Sequence, residues 1–232
     1  MLTIGFDLDD TLYFKIHPLE QSFLELNLVN EIQFEEFLKV FQKYSDIGFE
    51  YFTKQTMTLK ESHIFRIKET LNEFGVEMSD NEAATFQAIY EDNQQKIKPI
   101  PEIIEILDYL KNKEIQTIII TNGPSESQRK KLVNLGLTHY FSENRIIVSG
   151  EEAIAKPDPK LFQIAEKRFQ IDRDKAWYIG DSYENDVIGA NNAGWNSIWI
   201  DHNKKLESKR VNIATVTVKS AAELKEFIFN KF

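Results

Sequence analysis

The spacing of apolar residues changes along this chain and separates it into two kinds of segment. A run from Leu2 to Phe6 has the length and composition of a buried strand, and the acidic segment 7–10 follows it directly. From Leu19 to about Ile97, apolar residues recur only at helical spacing. The pattern therefore predicts one strand followed by a block of helices.

Three helical faces can be recognised inside this block. The first carries Ile32, Phe37, Leu38 and Phe41, and the second carries Ile64, Ile67, Leu71 and Phe74. Gly75 is expected to end the second helix, and Asp80 is expected to cap a third that carries Phe86, Ile89 and Tyr90. We interpret the block as a small helical bundle. An irregular stretch between its helices is expected to hold a group of aromatic residues, Tyr44, Phe49, Tyr51 and Phe52.

After Pro101, strand-like and helix-like segments alternate. Strands are predicted at 117–120, 145–148, 176–179, 197–200 and 214–218, and helices near 102–111, from Ser125, from Pro159, from about Glu184 and at 221–229. Ser125 and Gln128 have capping-box spacing, and Asp158 is expected to cap the helix that Pro159 begins. The alternation predicts an α/β fold, a Rossmann-like parallel sheet with helices on both faces.

The helical block interrupts this α/β domain directly after its first strand. Prolines at positions 18, 99 and 101 bracket the block and indicate two connecting segments. The sequence therefore predicts an α/β core made of residues 1–14 and 98–232, with an all-helical cap made of residues 15–97.

The composition limits the kinds of molecule that this protein is expected to bind. The formal charge is −9 and the chain has no cysteine, so nucleic-acid polymers and anionic membranes are poor partners, and a thiolate nucleophile or Cys-ligated metal is excluded. No apolar run approaches the roughly 20 residues that cross a bilayer, and the first residues do not resemble a signal peptide. We expect a cytoplasmic protein, a monomer or small homo-oligomer, that binds a small molecule.

Polar residues follow the predicted strands at the edge where α/β sheets bind ligands. Asp7 and Asp9 follow the first strand, and Thr121, Asn122 and Gly123 follow the second. Farther along the chain, Lys156, Asp181 and Asp186 follow later strands. The order of elements thus predicts four carboxylates, one lysine and one hydroxyl at a single edge.

Clustered carboxylates repel one another unless a cation joins them, and oxygen ligands without sulfur or imidazole suit Mg²⁺. Asp7 and Asp9, two residues apart in an extended segment, can face one substrate atom, so that one attacks while the other transfers a proton. Lys156 could balance the charge of a phosphate, and the 121–123 loop could bind its oxygens. Asp186 could belong to this cluster or could cap its own helix.

With these residues in place, the sequence resembles the haloacid dehalogenase-like (HAD) hydrolase superfamily, in the branch with a helical cap between the first two motifs. The first motif, D-x-D-x-T, corresponds to Asp7 through Thr11, and the second, a strand ending in Ser or Thr, corresponds to Thr121. Lys156 corresponds to the third motif, and Gly180-Asp181 through Asp186 corresponds to the fourth, G-D-x-x-x-x-D. One departure is Asp10, where many members have glycine.

The resemblance implies a role for each of these residues. Asp7 would be the nucleophile, Asp9 the general acid and base, and Thr11 the residue that orients Asp9. The resemblance implies that Mg²⁺ is held by Asp7, the backbone carbonyl of Asp9 and Asp181, with Asp186 close by. It also implies that the phosphoryl oxygens are held by Thr121, Asn122, Gly123 and Lys156.

The activity implied is a Mg²⁺-dependent phosphatase that hydrolyses a small phosphorylated metabolite, a nucleoside monophosphate or a sugar phosphate, through an aspartyl-phosphate. A dehalogenase is disfavoured because such enzymes lack the carboxylate corresponding to Asp9. Two alternatives stay open, a phosphosugar mutase of the same superfamily and a non-enzymatic phospho-acceptor switch.

Overall fold

A computed structural model of the chain describes residues 1–27, 31–202 and 213–232. These residues form two compact units, one comprising Met1–Lys15 with Lys98–Phe232 and the other comprising Ile16–Ile97. No helix within the described ranges is long and apolar enough to cross a membrane.

The second unit is entirely helical in its described part. Its helices are α1 (His17–Glu25), α2 (Phe34–Thr53), α3 (Leu59–Asn72) and α4 (Asp80–Gln95). Aromatic rings fill its core, where Phe37 lies 4.7 Å from Phe23 and 5.6 Å from Phe41 between ring centroids. Ile67 and Leu71 of α3 are completely buried against the same core. The predicted bundle faces are therefore the faces that pack inward.

The first unit contains a six-stranded parallel sheet with the order β3-β2-β1-β4-β5-β6. The strands are β1 (Thr3–Phe6), β2 (Gln116–Thr121), β3 (Ile146–Val148), β4 (Ala176–Gly180), β5 (Asn196–Ile200) and β6 (Val216–Val218). Phe6, the last residue of β1, pairs with Ile119 on one side and Ile179 on the other. The strand before Asp7 is therefore central, and its carboxyl end meets those of its neighbours.

Helices cover both faces of this sheet. They are α5 (Pro101–Asn112), α6 (Ser125–Asn134), α7 (Ser149–Glu152), α8 (Pro159–Phe169), α9 (Gly189–Asn192) and α10 (Ala221–Lys231). On one face, Tyr178 packs against Phe162 of α8 at 5.0 Å between ring centroids. On the other, the adjacent Trp177 packs against Phe227 of α10 at 6.1 Å. Because neighbouring residues of a strand point to opposite faces, these two contacts confirm the predicted Rossmann-like core.

One of three local predictions at helix ends was wrong. Ser79, rather than Asp80, caps α4, because its side chain accepts the N–H of Glu82 in a complete capping box. Asp158 does cap α8, with Pro159 as its first residue, as predicted. The segment predicted as a helix from Glu184 begins as a π-helical turn over Tyr183–Ile188 before α9.

Two predictions about irregular and capping residues were also wrong. The group Tyr44, Phe49, Tyr51 and Phe52 lies within the continuous 20-residue helix α2 and not between helices. Ser125 and Gln128 do not form a capping box, because α6 follows Pro124 and has no side-chain cap. The Gln128 side chain is instead buried in the sheet unit. Strand bounds differ from the predicted ones by at most two residues.

Candidate active site

Asp7 lies at the carboxyl end of the central strand β1. Its N–H donates a hydrogen bond to the carbonyl of Ile179 at 2.9 Å and so extends the pairing of β1 with β4 by one residue. This hydrogen bond to the sheet therefore fixes the position of the Asp7 backbone. Its carboxylate is buried, with the residue only 7% exposed.

Lys156 places a buried ammonium group beside this carboxylate. Its Nζ contacts Asp7 Oδ1 at 2.6 Å, Asp186 Oδ1 at 2.7 Å and the Tyr178 hydroxyl at 2.8 Å. The three N–H donors of the ammonium group thus have three acceptors. Burial by itself lowers the pKa of Lys156. The charges of Asp186 and Asp7 together raise this pKa by more, so the net shift is upward. Lys156 is a fixed positive charge in the site.

The backbone of Lys156 is held by the side chain of Asn122, which follows β2. The N–H of Lys156 donates to Asn122 Oδ1, and Asn122 Nδ2 donates to the carbonyl of Lys156, each at 2.9 Å. This pair of bonds joins two loops that are 34 residues apart in the chain. We predicted Asn122 as a phosphate ligand; its side-chain amide positions Lys156 in the structure.

Asp186 occupies the π-helical turn that follows β4. Its Oδ2 accepts the N–H of Ser182 at 2.9 Å, while its Oδ1 contacts Lys156. Its carboxylate thus helps to close the first turn and also reaches into the buried cluster, so both roles considered for it from the sequence have structural support. Gly180 permits this approach, because a Cβ at position 180 would lie 2.3 Å from the Asp186 carboxylate.

We therefore expect Gly180→Ala to displace Asp186 from Lys156. The overlap should lower the free energy of unfolding by about 1–3 kcal/mol, and catalytic turnover should fall at least several-fold because Lys156 loses one of its hydrogen-bond partners. Urea unfolding and steady-state kinetics test both effects. Gly136→Ala is the control for turnover, because a Cβ there meets nothing within 4 Å, although the φ of +67° at Gly136 strains any residue with a side chain. Equal turnover of the two variants would contradict the expectation.

Asp181 adds a third carboxylate to the site. One ligand oxygen from each of Asp7, Asp181 and Asp186 lies within 4.8 Å of the other two. Burial raises the pKa of Asp7 to about 7, an effect that Lys156 partly offsets and the charge of Asp186 increases. Burial, then the charges of Asp7 and Asp10, raise the pKa of Asp181 to about 6.

This cluster fits a hard divalent cation. All its donors are carboxylate oxygens, the ligand type that Mg²⁺ prefers. Burial and mutual repulsion disfavour the charged forms of Asp7 and Asp181, and a cation among them would remove that penalty. A buried Asp cluster able to bind a metal is therefore present, although the carboxylate of Asp9 is not one of its members.

Asp9 is held by a separate set of contacts. Lys131 Nζ contacts both carboxylate oxygens, at 2.7 and 2.9 Å, and Gln128 Nε2 donates to Oδ2 at 3.0 Å. The hydroxyl of Tyr13 donates to Oδ1. Burial acts to raise the pKa of Asp9, but Lys131 and these hydrogen bonds lower it by more.

Thr11 does not contact Asp9 in the way that we predicted. Its Oγ1 is buried and has no hydrogen-bond partner among the described residues. Lys131, Gln128 and Tyr13 orient the Asp9 carboxylate in its place. Thr11 is fully buried beside the loop that carries Asp9.

Two polar groups at the carboxyl end of β2 are predicted to bind phosphate, the hydroxyl of Thr121 and the N–H of Gly123. Thr121 Oγ1 is buried and accepts a hydrogen bond from Gln128 Nε2 at 2.7 Å. The N–H of Gly123, predicted to bind phosphate, donates to Ser149 Oγ at 3.0 Å. The φ of Gly123 is +143°, which a residue with a side chain rarely adopts.

Sequence reasoning missed Gln128, Lys131 and Tyr178. Gln128 and Lys131 are three residues apart and share a helix face, but the Ser125–Gln128 spacing suggested a cap, and an exposed role was the ordinary expectation for a lysine. Tyr178 lies inside the apolar pattern of β4, where nothing distinguishes it from a core residue. Its hydroxyl donates to the carbonyl of Ile120 and accepts from Lys156.

Two phosphatases of other organisms resemble this chain, one over most of its length and the other over less than half of it. A glyceraldehyde 3-phosphate phosphatase of Methanopyrus kandleri is 28% identical over 211 residues, which are 86% of this chain and 83% of the relative. A phosphoserine phosphatase of Thermus thermophilus is 37% identical over 107 residues, 46% of this chain and 42% of the relative.

The fold has matching solved structures. The HAD-hydrolase YfnB of Bacillus subtilis, crystallised with bound magnesium, superposes with a TM-score of 0.67 over 98% of each chain at 23% identity. The profile of the haloacid dehalogenase-like hydrolases matches residues 1–194. Together with the arrangement of Asp7, Lys156, Asp181 and Asp186 at one sheet edge, this match confirms the resemblance: the chain belongs to the haloacid dehalogenase-like hydrolase family.

Proposed function

We propose that this chain is a Mg²⁺-dependent phosphatase that hydrolyses a small phosphorylated metabolite through an aspartyl-phosphate on Asp7. The observation that carries the proposal is the contact of one buried ammonium group, Lys156, with Asp7 and Asp186 at the end of the central strand. A buried carboxylate beside a fixed cation is suited to attack on a phosphoryl group, because the cation balances the charge that the substrate brings.

The class of reaction has independent support. The chain is a member of a hydrolase family, and the two relatives described above are named as phosphatases of small metabolites. The prediction of a phosphoric monoester hydrolase is therefore confirmed at the level of class. We favour a nucleoside monophosphate or a sugar phosphate as the substrate, and the relatives add phosphorylated trioses and amino acids to the compounds that should be tested.

The residues divide the chemistry into two steps. In the first, which Asp9 must enter in its protonated form, an oxygen of Asp7 bonds to phosphorus, the bond to the leaving oxygen breaks, and Asp9 gives that oxygen its proton. In the second, Asp9 takes a proton from water, the water oxygen attacks phosphorus, and inorganic phosphate leaves Asp7 as a free carboxylate. Lys156 balances the charge of the phosphoryl group in both steps, and the Thr121 hydroxyl donates to one of its oxygens.

The carboxylate cluster is the proposed magnesium site. Asp7, Asp181 and the backbone carbonyl of Asp9 would hold Mg²⁺, with Asp186 contributing from beside Lys156. Bound there, the ion would neutralise charge on the phosphoryl oxygens and help to orient them. The donor set described above supports this assignment.

The helical unit is proposed to be the cap that recognises the rest of the substrate. We propose the division predicted from the sequence, with residues 1–14 and 98–232 as the catalytic core and residues 15–97 as the cap. Phe49, Tyr51 and Phe52 near the end of α2 are exposed, and the rings of Phe49 and Phe52 lie 6.4 Å apart between centroids. Such rings could contact a sugar or a base.

Metal dependence gives the first test. Purified protein should release phosphate from p-nitrophenyl phosphate with Mg²⁺ or Mn²⁺ and should lose this activity in excess EDTA. Mg²⁺ should also raise the melting temperature of the native protein, and Asp181→Asn should abolish that rise. Asp174→Asn, which changes an exposed carboxylate, is the control. Full activity in EDTA would contradict the proposal.

A substrate panel gives the second test. Nucleoside monophosphates, sugar phosphates, phosphorylated trioses and phosphoserine should be compared by kcat/KM, with release of inorganic phosphate as the readout. A phosphosugar mutase would convert one sugar phosphate into its isomer without releasing phosphate, and a phospho-acceptor switch would stop after one equivalent. Either result would replace the phosphatase assignment with the corresponding alternative.

A further inference from the structure

Gln128 connects two parts of the site through a single amide group. Its Nε2 lies 2.7 Å from Thr121 Oγ1, 2.9 Å from the carbonyl oxygen of Asn122 and 3.0 Å from Asp9 Oδ2. The residue is buried, with 1% of its surface exposed. The amide therefore faces the proposed acid–base carboxylate on one side and the proposed phosphate loop on the other.

The number of acceptors around this amide exceeds the number of its hydrogens. A side-chain amide has two N–H donors, and three oxygens lie within hydrogen-bond distance. At any moment one of the three is without a full hydrogen bond from Gln128. Asp9 Oδ2 also contacts Lys131 Nζ at 2.9 Å, so this oxygen keeps a partner when Gln128 withdraws from it.

The Asp9 carboxylate has no free lone-pair position when all its contacts are made. A carboxylate offers about four lone-pair positions, and Tyr13, Gln128 and the two contacts of Lys131 use four. A carboxylate in this condition cannot also contact a leaving oxygen or a water. One partner must withdraw before Asp9 can exchange a proton with the substrate.

Within the proposed phosphatase reaction, on which this inference rests, we propose that Gln128 and Lys131 are positioning residues for Asp9 and Thr121. Lys131 and Tyr13 hold the Asp9 carboxylate in place, and Gln128 releases Oδ2 so that this oxygen meets the leaving group. Gln128 keeps its bond to Thr121 Oγ1. That bond occupies a lone pair of the hydroxyl and leaves its hydrogen to donate to a phosphoryl oxygen.

The leaving-group dependence of kcat/KM tests the role of Lys131. Phenyl phosphate needs proton donation more than p-nitrophenyl phosphate does, and kcat/KM reports the steps up to departure of the leaving group. Lys131→Met should lower kcat/KM about 10- to 100-fold for phenyl phosphate, as expected for a misplaced catalytic group, and clearly less for p-nitrophenyl phosphate. Lys131→Arg should recover most of the loss, because it restores a cation beside Asp9.

Lys130→Met is the matched control for Lys131→Met. It makes the same substitution one residue earlier in α6, at an exposed position, and should leave both rate constants and the melting temperature unchanged. If Lys131→Met lowers kcat/KM equally for the two substrates, or if it behaves like Lys130→Met, the positioning role of Lys131 is overturned. A wild-type protein that releases phosphate from neither substrate would refute the phosphatase assignment itself, so the two failures can be told apart.

Binding of inorganic phosphate tests the role of Gln128. Gln128→Met keeps the length of the side chain and removes the amide, so the Thr121 hydroxyl loses the bond that orients it. The inhibition constant of inorganic phosphate should rise about fivefold, the equivalent of one hydrogen bond, while the control Lys130→Met should leave it unchanged. An unchanged constant for Gln128→Met, in a variant with the wild-type melting temperature, would overturn the proposal for Gln128.

Discussion

Asp7→Asn is expected to lower kcat by at least three orders of magnitude without unfolding the protein. An amide is a poor nucleophile. Among the described carboxylates of the site, no other directly follows the central strand with its backbone hydrogen-bonded to the sheet. Asn has the same shape as Asp, and its Oδ1 can still accept the hydrogen bond of Lys156 that Asp7 Oδ1 accepts. The melting temperature should therefore stay within a few degrees of the wild-type value.

The measurement is phosphate release under saturating Mg²⁺, together with mass spectrometry of the quenched protein. The wild type should show a phosphorylated species during turnover, and Asp7→Asn should not. Asp174→Asn, an exposed residue of the same unit, controls for the change of net charge. Substantial turnover by Asp7→Asn would show that the attacking group is another residue or a water.

Lys156→Met is expected to produce the largest loss of stability. It removes the ammonium group from between two buried carboxylates, so Asp7 and Asp186 would face each other with no opposite charge between them. Breaking a buried pair by removing one partner costs about 3–5 kcal/mol. Turnover should also fall by at least two orders of magnitude, because the phosphoryl group would meet uncompensated negative charge.

Urea unfolding in EDTA, with no cation present to offset the carboxylates, measures this loss. The double variant Lys156→Met/Asp186→Asn should recover part of the stability but not the activity, since it removes one of the two unpaired charges. Lys160→Met, an exposed lysine of α8, should change neither quantity. An equally stable Lys156→Met protein would mean that the buried ammonium group contributes nothing net to folding.

The edge of the sheet could be predicted because it depends on local patterns. Apolar runs of four to six residues ended at Asp7, Thr121 and Asp181, and alternation with helices required the strands to be parallel. Parallel strands bring their carboxyl ends to one edge, so the carboxylates had to converge. The structure differs from these expectations mainly by one or two residues at strand ends.

Helix ends and side-chain partners were harder to predict because several residues competed for the same role. Ser79 and Asp80 both have capping side chains, and only Ser79 has the Glu three residues later that completes a capping box. The spacing of Ser125 and Gln128 matched a cap, yet burial directed the Gln128 side chain towards Asp9 and Thr121. Local spacing therefore decides the cap of α4, whereas packing decides the role of Gln128.

The sequence by itself determined the order of strands and helices, the interruption after the first strand, and the residue types that meet at the sheet edge. These follow from periodicity and chain order, which act over a few residues at a time. Only the tertiary structure decided which of those side chains touch. Lys131 reaches Asp9 across 122 positions of sequence and Lys156 reaches Asp7 across 149, and contacts between residues so far apart in the chain depend on how whole elements pack.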